Sequence, residues 1–407
     1  MIKAVRRFPE GVVTIPPSKS VMHRAIICDA LAGIGETPPV VRDYPEGASE
    51  DIEATARCVS ALVSGERSVT LDCGESGSTL RFLLPIAAAL GGERRAVFRG
   101  RGRLLQRPLS PYLDELRRHG AVIDERRDSL VVTGALSAGE YELRGDISSQ
   151  FVSGLLFALP LLDGDSSVRL TSPLESAGYV DLTIDELRKS GVEVRRKRGE
   201  REIFNVRGRQ RYTHREISAE GDFSQAAFFL VAGALGRDVE CRGLNLRSKQ
   251  GDREILDILD RCGVRVVVTA EGGLKAKPGK PVPCDIDASG IPDLVPPVAV
   301  LLSFAQGLSR IYNAGRLRYK ESDRLESIRE TLFALGARIV VDGDSLVING
   351  RDWIEGGAEV SAHGDHRIAM MAAVAAVRCR WQVKVEGAEC VNKSYPAFWD
   401  DFEVSEV

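Results

Sequence analysis

Residues 328–350 read IRETLFALGARIVVDGDSLVING. The stretch spells an amphipathic helix, a glycine, a β-rich run, the turn Asp342-Gly343-Asp344 and a second β-rich run. Glycine ends helices because it enters the left-handed region without a Cβ clash, and an Asp-Gly turn between apolar runs is a hairpin signal. Three other segments share this grammar: 112–134 (YLDELRRHGAVIDERRDSLVVTG), 183–208 (TIDELRKSGVEVRRKRGEREIFNVRG) and 255–277 (ILDILDRCGVRVVVTAEGGLKAK). Their glycines, Gly120, Gly191, Gly263 and Gly336, are 71, 72 and 73 residues apart. A fixed period of this kind is the mark of a repeated architecture.

A second series keeps step with the first. Ser76, Ser148, Asp222, Asp293 and Asp365 each precede an apolar helical run, at spacings of 72, 74, 71 and 72, and Ser18 opens a shorter first copy 58 residues before Ser76. Serine and aspartate cap helices by accepting the unpaired N–H groups of the first turn. The reading is six copies of a βαβαββ unit. In each, a helix apolar nearly all round is buried and a helix with one charged face lies outside. Units of this size exceed the usual solenoid repeat, so two three-unit domains are expected. The fold class is α/β (α+β), a two-domain inside-out α/β barrel. Helix starts change from Ser to Asp between copies three and four, placing a break near residues 219–221. The short first step and the leading strand at residues 11–15 join the N-terminus to the second half. The expected domains are 18–220, continuous, and 1–17 plus 221–407, discontinuous.

Composition narrows the function classes. The 407 residues carry 55 basic and 58 acidic side chains, a net charge of −3, which argues against a general nucleic-acid binder. With 43% hydrophobic and 28% charged residues the chain is globular, long enough for large cores without staples. Residues 1–9 lack the apolar region of a secretory signal, and the apolar stretches 151–162 and 368–377 are shorter than a membrane span of about 20 residues. Eight scattered cysteines form no C-x-x-C pair and no Cys/His cluster, so neither zinc nor a disulfide framework is expected. The expectation is a cytoplasmic monomer with no metal, no organic cofactor, no nucleic acid and no membrane partner.

The chemistry-bearing residues gather at the buried-helix starts, where free N–H groups and the helix dipole attract anions. Lys19, Ser20, Arg24, Ser78, Arg81, Ser148, Ser149, Gln150, Asp293, Asp365, His366 and Arg367 lie there, and loops add Arg103, Arg107, Lys393 and the run Lys320-Glu321-Ser322-Asp323-Arg324. A lone serine or aspartate at a helix start is ordinarily a cap, and KESDR alone reads as a solvated face. Six copies placing polar groups at one location, with Lys19, Arg24, Arg81 and Arg367 added, exceed what capping needs. Cations with a few carboxylates suit polyanionic substrates and acid–base work.

The motifs PPSKSVMHRA, ESGSTLR, RLLQRP, GDISSQF, AEGDFSQAAFF, IPDLV, LRYKESDR, GDHRIAM and NKSYPAFW occur in order along nearly the whole chain. In this it resembles the 5-enolpyruvylshikimate-3-phosphate synthase (3-phosphoshikimate 1-carboxyvinyltransferase) family of enolpyruvyl transferases. The resemblance implies two hinged domains of three repeats and transfer of the enolpyruvyl group of phosphoenolpyruvate to the 5-hydroxyl of shikimate 3-phosphate, with release of phosphate, a step of aromatic amino-acid biosynthesis. It implies that Lys19 sits between both substrates and that Asp293 and Glu321 move protons. Shikimate 3-phosphate would be held by Lys19, Ser20, Arg24, Ser148, Ser149, Gln150, Ser176, Asp293 and Lys320, with Tyr179 at a position where the family places a tyrosine. Phosphoenolpyruvate would be held by Lys19, Gly77, Arg103, Gln150, Arg324, Arg367 and Lys393. The chain departs from many relatives at Glu75-Ser76-Gly77-Ser78, at Phe82 and at Arg316, which bears on the shape of the phosphoenolpyruvate pocket. The rival is the sister transferase acting on UDP-N-acetylglucosamine. It commonly has Lys-Asn in place of Lys19-Ser20, and a loop cysteine that residues 100–108 lack. A non-catalytic anion-binding protein is disfavoured because Asp293 and Glu321 are both present.

Overall fold

In a computed structural model, residues 1–5, 8–34, 48–199 and 201–402 are described. The chain divides into two compact units, Lys19–Ala219 and Met1–Ser18 with Glu220–Val407.

The continuous unit contains helices α1 (Lys19–Ala32), α2 (Glu50–Val63), α3 (Gly77–Ala89), α4 (Ser110–Arg118), α5 (Ser149–Ala158) and α6 (Ala177–Lys189). Helices α3 and α5 start where a serine meets an apolar run. Ser76 Oγ accepts the Thr79 N–H and Ser148 Oγ the Gln150 N–H, satisfying donors that a buried helix end would otherwise strand. Both helices are buried almost all round, and a glycine lets them approach closely: a Cβ at Gly154 would lie 2.5 Å from the Arg81 carbonyl oxygen. Helix α4 instead buries Tyr112, Leu113, Glu115 and Leu116 and leaves Asp114 and Arg118 outside. Truncating a fully buried ring such as Phe151 to alanine costs about 3–5 kcal/mol.

The discontinuous unit contains α7 (Phe223–Ala234), α8 (Ile255–Arg261), α9 (Val295–Ser303), α10 (Arg324–Ala334), α11 (His366–Ala376) and α12 (Phe398–Phe402). Asp222 and Asp365 cap α7 and α11 through the N–H groups of Ser224 and Arg367. The segments in which the chain leaves and re-enters this unit are tied together. Ser18 N–H donates to Glu220 O at 2.7 Å, Asp222 N–H to Pro16 O at 2.9 Å, and Pro17 bridges Gly221.

Four sheets share one strand order. In the first, Ser68–Asp72 pairs in parallel with Arg95–Arg99, which pairs antiparallel with Ser129–Gly134, the second strand of a hairpin that begins at Ala121–Glu125. Glu140–Leu143, Ser166–Leu170, Ile203–Val206 and Val194–Lys197 repeat it, as do Ile286–Asp287, Gly307–Tyr312, Ser345–Gly350 and Ile339–Asp342. In the remaining one, the N-terminal strand Gly11–Thr14 lies parallel to Val239–Arg242, beside Leu274–Ala276 and Val266–Val268. The glycines that join helix to hairpin adopt positive φ: Gly120 +96°, Gly191 +81°, Gly263 +73° and Gly336 +94°. The last copy is different. Ile354–Gly356 pairs with Cys379–Trp381, Glu359–Ser361 pairs with Lys384–Glu386, and the antiparallel partner comes from Ile2–Ala4. The first copy shows α1 and α2 but no sheet of its own among the described residues. No sheet closes into a barrel among them.

Candidate active site

In the continuous unit, polar side chains collect at the starts of α1, α3 and α5. Lys19 Nζ meets Asp51 Oδ2 of α2 at 2.7 Å. Arg24, 2% exposed, donates to Thr183 Oγ1 at 2.8 Å and to the carbonyls of Ser20 (2.6 Å) and Tyr179 (2.9 Å), and its guanidinium lies over the Phe82 ring. Burial lowers its pKa to about 10, which still leaves it charged at neutral pH. At Gly77 two guanidiniums occupy the space a side chain would need: a Cβ there would sit 2.7 Å from Arg81 Nη1 and 3.0 Å from Arg107 Nη1. Arg81 donates to Gln150 Oε1 at 2.8 Å, and Gln150 Nε2 to Ser78 Oγ at 2.9 Å. This orients the amide and joins α3 to α5.

The arginines of RLLQRP part company. Arg103 is exposed at the start of the single turn Leu104–Gln106, whereas Arg107, one residue past its end, is buried against Gly77. Ser148 and Ser149 begin α5, with Ser149 buried. Ser176 precedes α6 at φ +53°, a left-handed conformation that a non-glycine residue seldom adopts and that is often found where backbone geometry serves a ligand.

In the discontinuous unit the cluster is ionic and centred on Arg324, 1% exposed. Its Nη1 meets Asp293 Oδ1 at 2.8 Å, its Nη2 meets Glu321 Oε2 at 2.6 Å, and its Nε meets Asp365 Oδ2 at 2.8 Å. Lys393 Nζ approaches Glu321 Oε1 at 3.3 Å, Arg367 Nη2 approaches Asp293 Oδ2 at 3.3 Å, and Lys320 Nζ approaches Asp293 Oδ1 at 3.5 Å. Buried charges persist only when paired and hydrogen-bonded, and here each carboxylate has at least one cation. Burial pushes the Asp293 carboxyl upward, but Arg367, Lys320 and Arg324 outweigh it and hold the group well below the usual carboxylate range. It is therefore ionised at neutral pH and able to accept a proton.

Asp293 departs from the helix-start expectation. Helix α9 begins at Val295 with prolines in its first turn, and its cap position is Leu294. Proline lacks the N–H a cap would bind, so the charge of Asp293 is set by cations rather than by capping. Sequence reasoning singled out neither Asp51, which anchors Lys19 from 32 residues away, nor the pairing of Asp365 with Arg324 across 41.

Among the described residues no group of three or more His, Cys, Asp or Glu side chains is placed to hold a metal ion, and no helix is long and apolar enough to cross a membrane.

The family model for EPSP synthase (3-phosphoshikimate 1-carboxyvinyltransferase) matches residues 9–402. The chain belongs to that family. It is 46% identical to the 3-phosphoshikimate 1-carboxyvinyltransferase of Clostridium kluyveri, over 97% of this chain and 94% of the relative. The fold is similar to that of EPSP synthase from Acinetobacter baumannii, with a TM-score of 0.76 at 24% identity over 98% of this chain and 97% of the other. It is also similar to the enolpyruvyl transferase NikO from Streptomyces tendae, with a TM-score of 0.73 at 18% identity over 98% and 96%. The chain is thus an enzyme of the shikimate pathway, a transferase that moves the enolpyruvyl group of phosphoenolpyruvate to shikimate 3-phosphate.

Proposed function

We propose a division of labour between the two clusters in this reaction. The 5-hydroxyl of shikimate 3-phosphate adds to C2 of phosphoenolpyruvate while the methylene carbon gains a proton; the tetrahedral intermediate then loses phosphate together with one proton of its new methyl group, which restores the carbon–carbon double bond. Asp293 accepts the hydroxyl proton. Glu321, between Arg324 and Lys393, takes up a proton from solvent, delivers it to carbon and takes one back from the methyl group as phosphate leaves, and Lys19 lies between the two substrates. Ser20, Arg24, Ser148, Ser149, Gln150, Ser176 and Lys320 hold shikimate 3-phosphate. Gly77, Gln150, Arg324, Arg367 and Lys393 hold phosphoenolpyruvate, since guanidinium forks suit carboxylate and phosphate. To this group we add Arg107 in place of Arg103, because Arg107 is the arginine buried at Gly77. The observation that carries the reading is the three-cation surround of Asp293, which keeps a half-buried base ionised.

In this reading the chain works as a cytoplasmic monomer without metal or cofactor, and exhaustive chelation leaves turnover intact. The strand order common to four sheets supports four copies of one unit; six copies, three in each domain as an inside-out α/β barrel, extend that unit to the first copy and to the differently paired last one. Phosphate release from phosphoenolpyruvate, assayed with shikimate 3-phosphate and separately with UDP-N-acetylglucosamine, tests the function. Release with the first acceptor alone is expected, and release with the second alone overturns it.

A further inference from the structure

The core of the continuous unit contains a line of polar side chains that the reaction does not use. His23 of α1, Thr55 of α2, and Thr79 and Ser76 of α3 are each at most 1% exposed. His23 Nδ1 lies 2.7 Å from Thr55 Oγ1, Thr55 Oγ1 lies 2.5 Å from Thr79 Oγ1, and Thr79 Oγ1 donates to Ser76 Oγ at 2.7 Å. Ile27 of α1 and Leu80 and Leu83 of α3 are fully or almost fully buried, Phe82 meets the imidazole edge-on, and the charges of Asp51, Lys19 and Arg24 act on the ring. Three helices could pack there with aliphatic residues alone. A polar chain in such a place constrains geometry, because each member is satisfied only in one arrangement of its neighbours.

The chain also has a direction. Burial lowers the imidazole pKa to about 3, so His23 is neutral and carries one ring proton. Among the described residues its Nε2 has no hydrogen-bond partner. A proton there would be a stranded donor, so the proton belongs on Nδ1. Each hydroxyl then accepts from one neighbour and donates to the next, from Nδ1–H through Thr55 and Thr79 to Ser76. Thr55 has a second acceptor in the Asp51 carbonyl at 3.2 Å, longer than the Thr79 contact. Ser76 Oγ, at the end of the line, also accepts the Thr79 N–H as the cap of α3, and the next residue is Gly77.

We propose that His23, Thr55 and Thr79 are positioning residues that fix the start of α3, and with it Gly77 and its two guanidiniums, to the helix that carries Lys19, Ser20 and Arg24. This rests on the assignment of Gly77 to phosphoenolpyruvate and of the α1 residues to shikimate 3-phosphate. One turn before His23 on α1, Lys19 pairs with Asp51, one turn before Thr55 on α2, so the seam between these helices has two rungs. The neighbouring Arg24 ties α1 to the opposite side through Thr183, which meets Ser153 of α5 at 2.7 Å. Helix α1 is thereby held from two directions. Loss of the His23 line releases α3 and leaves the Arg24 side in place.

The test uses Thr79→Val and Thr55→Val, which keep side-chain shape and remove a hydroxyl, their double variant, and the rescue Thr79→Ser. KM for phosphoenolpyruvate and kcat are measured by phosphate release, shikimate 3-phosphate affinity by calorimetry, and Tm alongside. Each valine variant is expected to raise KM for phosphoenolpyruvate about tenfold with shikimate 3-phosphate affinity within about twofold. The double variant should be no worse than about twice either single, since one line is cut in both, and Thr79→Ser should restore the wild-type value. If Thr79→Val does not fold, Thr55→Val carries the test. Equal losses for both substrates tracking a fall in Tm, or additive effects of the two valines, or no kinetic change, overturn the proposal. Wild-type enzyme that releases no phosphate with shikimate 3-phosphate would instead overturn the functional assignment beneath it.

Discussion

Helices α3 and α5 begin on serines, α7 and α11 on aspartates, and the charge of the cap changes what can be built around it. A hydroxyl cap satisfies the helix end without adding negative charge beside Arg81 and Arg107, and the partner of Arg81 across the helix pair is the neutral amide of Gln150. Such a start is suited to receive an anion. The Asp365 carboxylate, fully buried, needs a cation, and Arg324 supplies it with two donors. That arginine also reaches Asp293 and Glu321. A charged cap thus seeds an ion-pair cage in which each carboxylate faces at least one cation. The serine-capped starts leave their arginines facing neutral groups, while the aspartate-capped start surrounds carboxylates with cations.

The largest effects should come from the cage's proton-moving members. Asp293→Asn and Glu321→Gln should each lower kcat by about 10²–10⁴, the usual contribution of positioned acid–base groups. Shikimate 3-phosphate should still bind, as read by calorimetry. Near-normal kcat in either variant would remove its role, and lost binding would make the residue a substrate anchor, erasing the contrast drawn above.

Next comes the arginine at the centre of each cluster. Arg324→Met removes the arginine of the fully buried Asp365 and one of several cations from Asp293 and Glu321, and breaking a buried pair in this way typically costs about 3–5 kcal/mol. Arg81→Met loses, among its contacts, the hydrogen bond to the Gln150 amide and the position over the Phe151 ring, and removal of that bond costs about 1.5–3 kcal/mol. Urea midpoints of the two variants measure the difference. Equal losses would mean that cap charge does not divide the units.

The parts of this arrangement that repeat were legible in the sequence. Gly120, Gly191, Gly263 and Gly336 all take positive φ, and Ser76, Ser148, Asp222 and Asp365 all cap helices, because local backbone chemistry dictates both. What depends on contacts distant in the chain was not. Asp293 has the spacing of a cap, yet two prolines shift the helix start and three distant cations decide its charge. Arg103 and Arg107 share one motif, and only the turn between them decides which is buried. The His23 line joins residues 32 and 24 positions apart, a distance no local pattern signals.

Two aspartates of the same unit should respond to pH with opposite signs. Asp293 is held low, so its stabilising contribution is present above the unfolded value near 3.8 and is lost as pH falls below that. Asp252, 2% exposed, is pushed the other way: burial first and the charge of Asp293 second raise it to about 7, against the pull of Arg367 and the Ser224 hydroxyl. Below pH 3.8 it is protonated in both states. Between about 4 and 7 the unfolded chain gives up this proton and the folded one retains it, so stability declines over that window. Asp252→Asn removes the decline. Its advantage over wild type should therefore grow from pH 5 to pH 8, by something on the order of 2 kcal/mol, in urea midpoints taken at both. A constant offset across that range would show that Asp252 ionises as freely folded as unfolded.

The smallest effect isolates burial from geometry. Arg324 and Glu321 form an i,i+3 pair at 2.6 Å, and Arg188 and Asp185 on α6 form one at 3.0 Å. The sequence spacing is the same, but Arg324 is 1% exposed and Arg188 71%. Water screens the exposed pair, and ordering two mobile side chains offsets most of the attraction, so such pairs contribute about 0.2–0.5 kcal/mol. Asp185 also retains Lys189 at 2.9 Å when Arg188 is removed. Arg188 stands in the last turn of its helix, where a cation favours the dipole, but alanine is the better helix former and cancels part of that loss. Arg188→Ala should therefore move the urea midpoint by less than about 0.5 kcal/mol, and the residual effect should vanish in 1 M salt, where the screening length is about 3 Å. A loss approaching that of Arg324→Met, or one that persists in high salt, would mean that i,i+3 geometry rather than desolvation gives the buried pair its strength.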